Sequence, residues 1–124
     1  MNKGGVVARY GVAATTTIVI DTIVAVNATG YLVPATDTAG LTVVGQSEQN
    51  VDNSAGANGD KDCDVLAGAI VDLATSGLGL TDMTHTAYIL NATTLTTQGG
   101  TVNAIPGGIL LWIDTVNDRG LLRF

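Results

Sequence analysis

Apolar and polar residues alternate along most of this chain with a period of two, the signature of strands rather than helices. Val, Ile and Thr fill the alternating runs, and Gly, Asn, Asp and Ser interrupt them roughly every ten residues. That pattern predicts a small all-β single domain, either a β-sandwich or a β-barrel, with a jelly roll also compatible. Thr17 to Val26 reads as one strand, Asn27-Ala28-Thr29-Gly30 as a turn, and Tyr31-Leu32-Val33 as the returning strand. Pro34 lacks an N–H, so that strand ends there or lies at an edge. After the turn Asp37-Thr38-Ala39-Gly40, the largely apolar Leu41 to Val44 leads into Gly45, which allows a bulge or a bend. Val51 to Lys61 is polar and predicts a solvent-facing excursion with nothing to pack.

Cys63, Val65, Ala67 and Ala69 alternate with Asp62, Asp64, Leu66 and Gly68, a strand whose first part has an acidic face and which continues through Ile70-Val71 to Leu73. Ser76-Gly77-Leu78-Gly79 is a turn, and Thr81-Asp82-Met83-Thr84 offers one short helical turn. Short strands flank Asn91-Ala92-Thr93. Pro106-Gly107-Gly108 opens a last hairpin, with Ile109 to Ile113 returning as Leu121 to Phe124 around Asn117-Asp118-Arg119-Gly120. Residues 1–14 differ: they hold two of the five bases and a Gly4-Gly5 pair, and predict an extended N-terminal arm that orders against a neighbour. Residues 15–124 show neither a long repeat nor a linker and form the single β domain.

Composition narrows the function. The chain of 124 residues is 46% hydrophobic but only 4% aromatic and 13% charged, with 11 acids against 5 bases and a net charge of −6. It is too apolar for disorder, and its glycines lack the period of collagen. An acidic chain is poorly suited to neutralising phosphates, so no nucleic-acid partner is expected. A core of small aliphatic side chains is thin, which favours an assembly whose neighbours add burial. Asp21 interrupts the one candidate membrane span, and no convincing signal peptide precedes it, so no membrane partner is expected either. The lone Cys63 has no intrachain disulfide partner, and a reduced compartment is the simpler reading.

Candidate chemistry is sparse. Asp60-Lys61-Asp62-Cys63-Asp64 opens like a calcium loop, but Val65 and Val71 stand where the pattern needs Gly and a bidentate Glu. Cation binding among Asp52, Asp60 and Asp62 in the acidic loop 52–64 stays open. Cys63 and His85, the only thiol and the only imidazole, lie far apart in sequence, and a thiol on a strand's inward face is ordinarily inert packing. Ser47, Ser54 and Ser76 sit in no nucleophile elbow, Gly77-Leu78-Gly79 and Gly107-Gly108 lack the rest of a phosphate loop, and Glu48 is the only Glu. The expectation is a protein that is not an enzyme and carries no cofactor. Trp112, the only Trp, is either a core ring or an interface anchor. Lys3, Arg9, Tyr10, Arg119 and Arg123 fall toward the chain ends, either as contact points for an acidic partner or as solvated residues. With Trp112 they form the candidate interface.

The central stretch resembles a known family. Gly30-Tyr31-Leu32-Val33-Pro34-Ala35, Asp37-Thr38-Ala39-Gly40-Leu41 and Val44-Gly45-Gln46-Ser47-Glu48 resemble the capsid cement, or head decoration, proteins of tailed bacteriophages. Val51 to Lys61, Leu66-Ala67-Gly68-Ala69-Ile70, Tyr88-Ile89-Leu90-Asn91 with Thr94-Leu95, and Pro106-Gly107-Gly108-Ile109 continue the likeness in order over residues 20–124. The arm lies outside it, and the Leu110-Leu111-Trp112 and Leu121-Leu122-Arg123-Phe124 runs are heavier than the family pattern. The resemblance implies a β-rich structural protein made in the host cytoplasm and placed on the virion's outer capsid surface. Its partners would be the major capsid protein and itself, as a homotrimer in the first instance, with a dimer also compatible. Two other classes compete: an exported bacterial surface-layer or fibre subunit, and a small metal-binding or enzymatic module.

Overall fold

A computed structural model describes residues 5–124. Among these residues twelve strands follow in order: β1 (Val6–Gly11), β2 (Thr16–Ile18), β3 (Ile23–Val26), β4 (Leu32–Pro34), β5 (Thr42–Ser47), β6 (Val51–Asn53), β7 (Asp62–Ala67), β8 (Ile70–Ser76), β9 (Thr86–Asn91), β10 (Thr94–Thr96), β11 (Pro106–Asp114) and β12 (Arg119–Arg123). Single 3-10 turns lie at Leu80–Asp82 and Gln98–Gly100. The all-β expectation holds. The sandwich and barrel alternatives are both partly realised: an open five-stranded sheet, ordered β1-β7-β5-β3-β4, stands beside a closed five-stranded barrel, β10-β8-β12-β11-β9. A small ribbon, β2-β6, completes the molecule.

The sheet is the middle layer. Alternate residues of one strand point to opposite faces, and β3 is apolar at every position, so both of its faces are covered. Ile23 and Ala25 enter the core shared with the barrel, while Val24 enters a second core shared with Ile18 and Val51 of the ribbon. Cys63 and Val65 of β7 join that second core, and Leu66 packs against the first. The barrel interior is filled by Val71, Leu73, Ile89, Leu95, Leu110, Ile113 and Leu122. The largest fully buried side chains are Ile and Leu, with no aromatic ring among them. A barrel this narrow also needs absent side chains: a Cβ at Gly120 would lie 2.9 Å from Leu110 Cδ1 and 3.1 Å from Thr75 Cγ2.

Four expectations need correction. The predicted strand from Asp62 to Leu73 is two strands: β7 ends at Ala67 in the sheet, Gly68 turns the chain (φ 68°), and β8 starts at Ile70 in the barrel. The predicted strand Thr17–Val26 is two strands in different layers. Asp21 takes a left-handed conformation (φ 64°) between them, and the connection is held from outside the segment. The Ile20 N–H donates to Asn50 Oδ1 (2.9 Å) and the Asp21 N–H to Ser47 O (2.9 Å). The arm is extended, but from Val6 to Gly11 it lies on its own chain, antiparallel to β7 in the register Val6↔Ala67 to Gly11↔Asp62. It continues into the second core through the fully buried Val12. Lys3 and the first four residues lie outside the described part. The polar stretch from Val51 begins with strand β6 and buries Val51 and Asn53, while residues 54–61 face solvent as expected. The Asn53 amide donates to the carbonyls of Val12 (3.2 Å), Ala13 (2.9 Å) and Ala57 (3.0 Å). A polar residue is therefore buried because it satisfies backbone acceptors that no neighbouring strand reaches.

Other elements match their sequence signals. Gly45 (φ 153°) sits at a bulge where β3 and β5 slip by one residue, and a Cβ there would strike the Leu66 carbonyl. Asn27 and Asn91 both close turns by accepting backbone N–H groups two residues on, from Thr29 (3.1 Å) and Thr93 (2.9 Å). Asp82 Oδ2 caps its 3-10 turn by accepting the Gly79 N–H (2.7 Å).

Two polar links tie sheet to barrel. The Ile23 N–H donates to Ala92 O (2.7 Å) in the turn between β9 and β10. Asp37, in the loop after β4, accepts the N–H groups of Val102 (2.6 Å) and Asn103 (2.8 Å) in the loop before β11. Those two donors hold the Asp37 carboxyl below the usual carboxylate range.

Candidate protein-docking surface

The last hairpin carries the feature that most needs explaining. In an unbroken strand, Leu110 and Trp112 would share a face and Leu111 would oppose them. Instead β11 pairs Leu110 with Leu122 and Trp112 with Leu121, leaving Leu111 as an extra residue in a bulge. Leu110 and Ile113 point into the barrel and are buried. Ile109, Leu111 and Trp112 all turn outward, with exposures of 39%, 37% and 51%. Trp112 is therefore a surface ring, which resolves the two readings of it in favour of exposure.

The paired strands extend this face. Ile109 lies opposite Arg123 on one side and Thr86 on the other. Trp112 lies opposite Leu121, which in turn lies opposite Asp72 on β8. Arg119 reaches back to Asp72, with Nε 3.1 Å from Oδ1. Arg123 makes no ion pair among the described residues. Asp114, at the end of β11, is occupied by its own turn: Oδ1 accepts the Val116 N–H (3.0 Å) and Oδ2 the Asn117 amide (2.7 Å). The Asn117 side chain is the main cause that lowers the Asp114 pKa.

The candidate residues separate into two groups. Trp112, Arg119 and Arg123 come together on the outer face of the barrel. Arg9 and Tyr10 lie on β1, at the edge of the sheet. Arg9 Nε is 3.0 Å from Asp64 Oδ1, and this hydrogen bond raises the guanidinium pKa above its usual value. Tyr10 is half-buried against the second core. The sequence reading missed Ile109, Leu111 and Leu121 as partners of Trp112. The signal was present in Leu110-Leu111-Trp112, since three consecutive large apolar residues cannot share one face of a strand.

A groove of about 570 Å³ opens beside this face, between Asp21 and Gln46 of the sheet half and Asp72, Thr93 and Arg119 of the barrel half. Its one guanidinium is already held by Asp72, and no Ser, Cys or His lines it. Cys63 is fully buried in the second core, and burial pushes its thiol pKa up, away from the nucleophilic thiolate. His85 is exposed at the start of the barrel's β9. The structure thus places these two in different layers. In the acidic loop, Ser54 is the main cause that holds Asp52 below the usual carboxylate range, and Asp60 Oδ2 accepts the Ala57 N–H (2.8 Å). Among the described residues no three His, Cys, Asp or Glu side chains converge as metal ligands.

The arrangement suits protein contact: a rigid β support, an exposed ring surrounded by aliphatic side chains, and a guanidinium at the margin. Comparison with family models, with curated proteins and with solved structures finds no match to this chain.

Proposed function

We propose that this chain is a structural capsid decoration (cement) protein that binds the outer face of a phage head between capsomers and stabilises the shell. The observation that carries the docking half of this reading is the outward face of β11 and β12. Trp is among the residues enriched at binding hot spots, and a bulge that turns two adjacent large residues outward is a positioned feature of the strand. The phage-head half rests on the likeness of residues 20–124 to the cement family.

The mechanism follows from stiffness and repetition. The sheet and barrel share one core, and the Asp37 and Ile23 links hold them in register. Such a body transmits load instead of yielding. A homotrimer on a symmetry axis presents the same face three times, and linked weak contacts raise avidity by about 10²–10⁴. The outer edge of β1 lies open at the end of its sheet and offers backbone hydrogen bonds for pairing between copies.

The test uses expanded shells of the major capsid protein encoded beside this chain. Saturable binding and a higher shell-rupture temperature are expected. A chain with no capsid gene beside it, or shells left bare and equally fragile, would refute the proposal. Replacing Cys63 and His85 by Ala should leave shell protection intact, whereas loss of function in the folded double variant would favour a catalytic module.

A further inference from the structure

We infer that the partner docked by the β11–β12 face is an acidic protein surface, with Trp112 as the apolar anchor and Arg123 as the charge that selects it. This rests on the docking reading above and adds the chemistry of the surface on the other side.

The charges around the ring define the partner's chemistry. Arg119 is held by Asp72, and Asp114 is committed to its own turn. Arg123 lies opposite Ile109 and Ile70, two aliphatic neighbours, with no ion pair among the described residues. Covering this face with an apolar or basic surface would desolvate the guanidinium with nothing to replace its water. A carboxylate on the partner removes that penalty and gains a charge-assisted, bidentate contact.

A second copy of this chain is the poorer occupant. Its identical face offers Asp72 and Asp114, both already engaged, and adds a second Arg119 and a second Arg123 to the contact. The net charge of −6 sharpens the choice. An acidic partner is repelled by most of this molecule and attracted where Arg123 stands, which orients the encounter.

The two anchors should act on different steps. Arg123 governs the association rate and its salt dependence, and Trp112 governs dissociation. The direct probe is a pair of peptides, one of Leu and Glu, the other with Lys in place of Glu. Binding is followed by NMR at the indole N–H, which belongs to Trp112 alone because the chain has one Trp. The acidic peptide should shift that signal and the Lys peptide should not, and Arg123→Glu should reverse the preference while Arg123→Lys keeps it. No response, an equal response, or a preference for the Lys peptide overturns the inference. So does a dimer, seen by sedimentation, that Trp112→Ser dissociates, because the face would then belong to a second copy. On shells, Arg123→Glu should slow association at low salt by about tenfold, an effect that shrinks as salt rises. An acidic-peptide response with no shell binding would leave this inference standing and remove the capsid reading. Shell binding with an Arg123-independent rate would do the reverse.

Discussion

The loop at 54–61 and the hairpin β11–β12 are both surface features, and they use their residues in opposite ways. The loop looks polar and solvent-bound in sequence, yet it is tied inward. Asn53 supplies the amide that Val12, Ala13 and Ala57 share, the Gly59 N–H donates to Val12 O (2.9 Å), and the Ala14 N–H donates to Asn58 Oδ1 (2.8 Å). The hairpin looks like core in sequence, yet its bulge sends Ile109, Leu111 and Trp112 outward. Backbone carbonyls at one place find a donor within the chain, while large apolar groups at the other stay exposed. The first arrangement contributes to folding, and the second is the proposed contact surface.

The largest effect expected from breaking this contrast is at Asn53. Its Oδ1 is buried with no hydrogen-bond partner among the described residues and lies against Gly56, so close that a Cβ there would strike it. Asn53→Asp removes the shared donor and points a buried charge at three carbonyls, and should cost more than about 3 kcal/mol in denaturant unfolding. Asn53→Ala should cost less, about 2–3 kcal/mol, because it removes the shared donor without adding charge. Neither variant, where folded, should change docking through the hairpin. A small loss for Asn53→Asp would show that the loop is not tied inward.

Trp112→Ser tests the other side. Stability should stay within about 0.5 kcal/mol, as for an ordinary surface change, while shell binding weakens by at least about thirtyfold, the scale of a hot-spot residue. A large stability loss with unchanged binding would make the ring a structural residue and reverse the contrast.

A smaller effect should appear at Asp37, which joins the two halves. Its folded pKa lies below the unfolded value, so its contribution is present above about pH 4 and is lost as pH falls through the folded pKa. Asp37→Asn should therefore be less stable than the parent at pH 7, with the gap closing toward pH 2 in thermal unfolding. A gap independent of pH would mean that the carboxylate charge plays no part in the link. The smallest signal is at Cys63, where a thiol reagent should label the native protein far more slowly than the unfolded chain.

Much of this contrast was legible in the sequence, and the missing part has one cause. Features set by neighbours in the chain were readable: the turns at Asn27 and Asn91, the bulge at Gly45 and the last hairpin. Features set by distant partners were not. Asp21 splits a predicted strand because Ser47 and Asn50 arrive from elsewhere to hold the bend. Asn53 is buried because Val12 and Ala13 bring their carbonyls to it, and β1 finds β7 across a separation that alternation cannot report. The barrel closes through the parallel pairing of β10 with β8, which no local signal specifies. At the candidate site, Trp112 and Arg123 were named from residue type alone. Their neighbours became visible only when the bulge at Leu111 fixed which side chains share the outer face.

The outer face of β11 and β12 is the proposed place where this molecule meets its partner. A reconstruction of phage heads saturated with the chain tests it most directly. The predicted result is density continuous with the shell over Trp112, Leu111 and Ile109, with a capsid carboxylate at Arg123. Heads on which the chain is bound but Trp112 faces open solvent would contradict it.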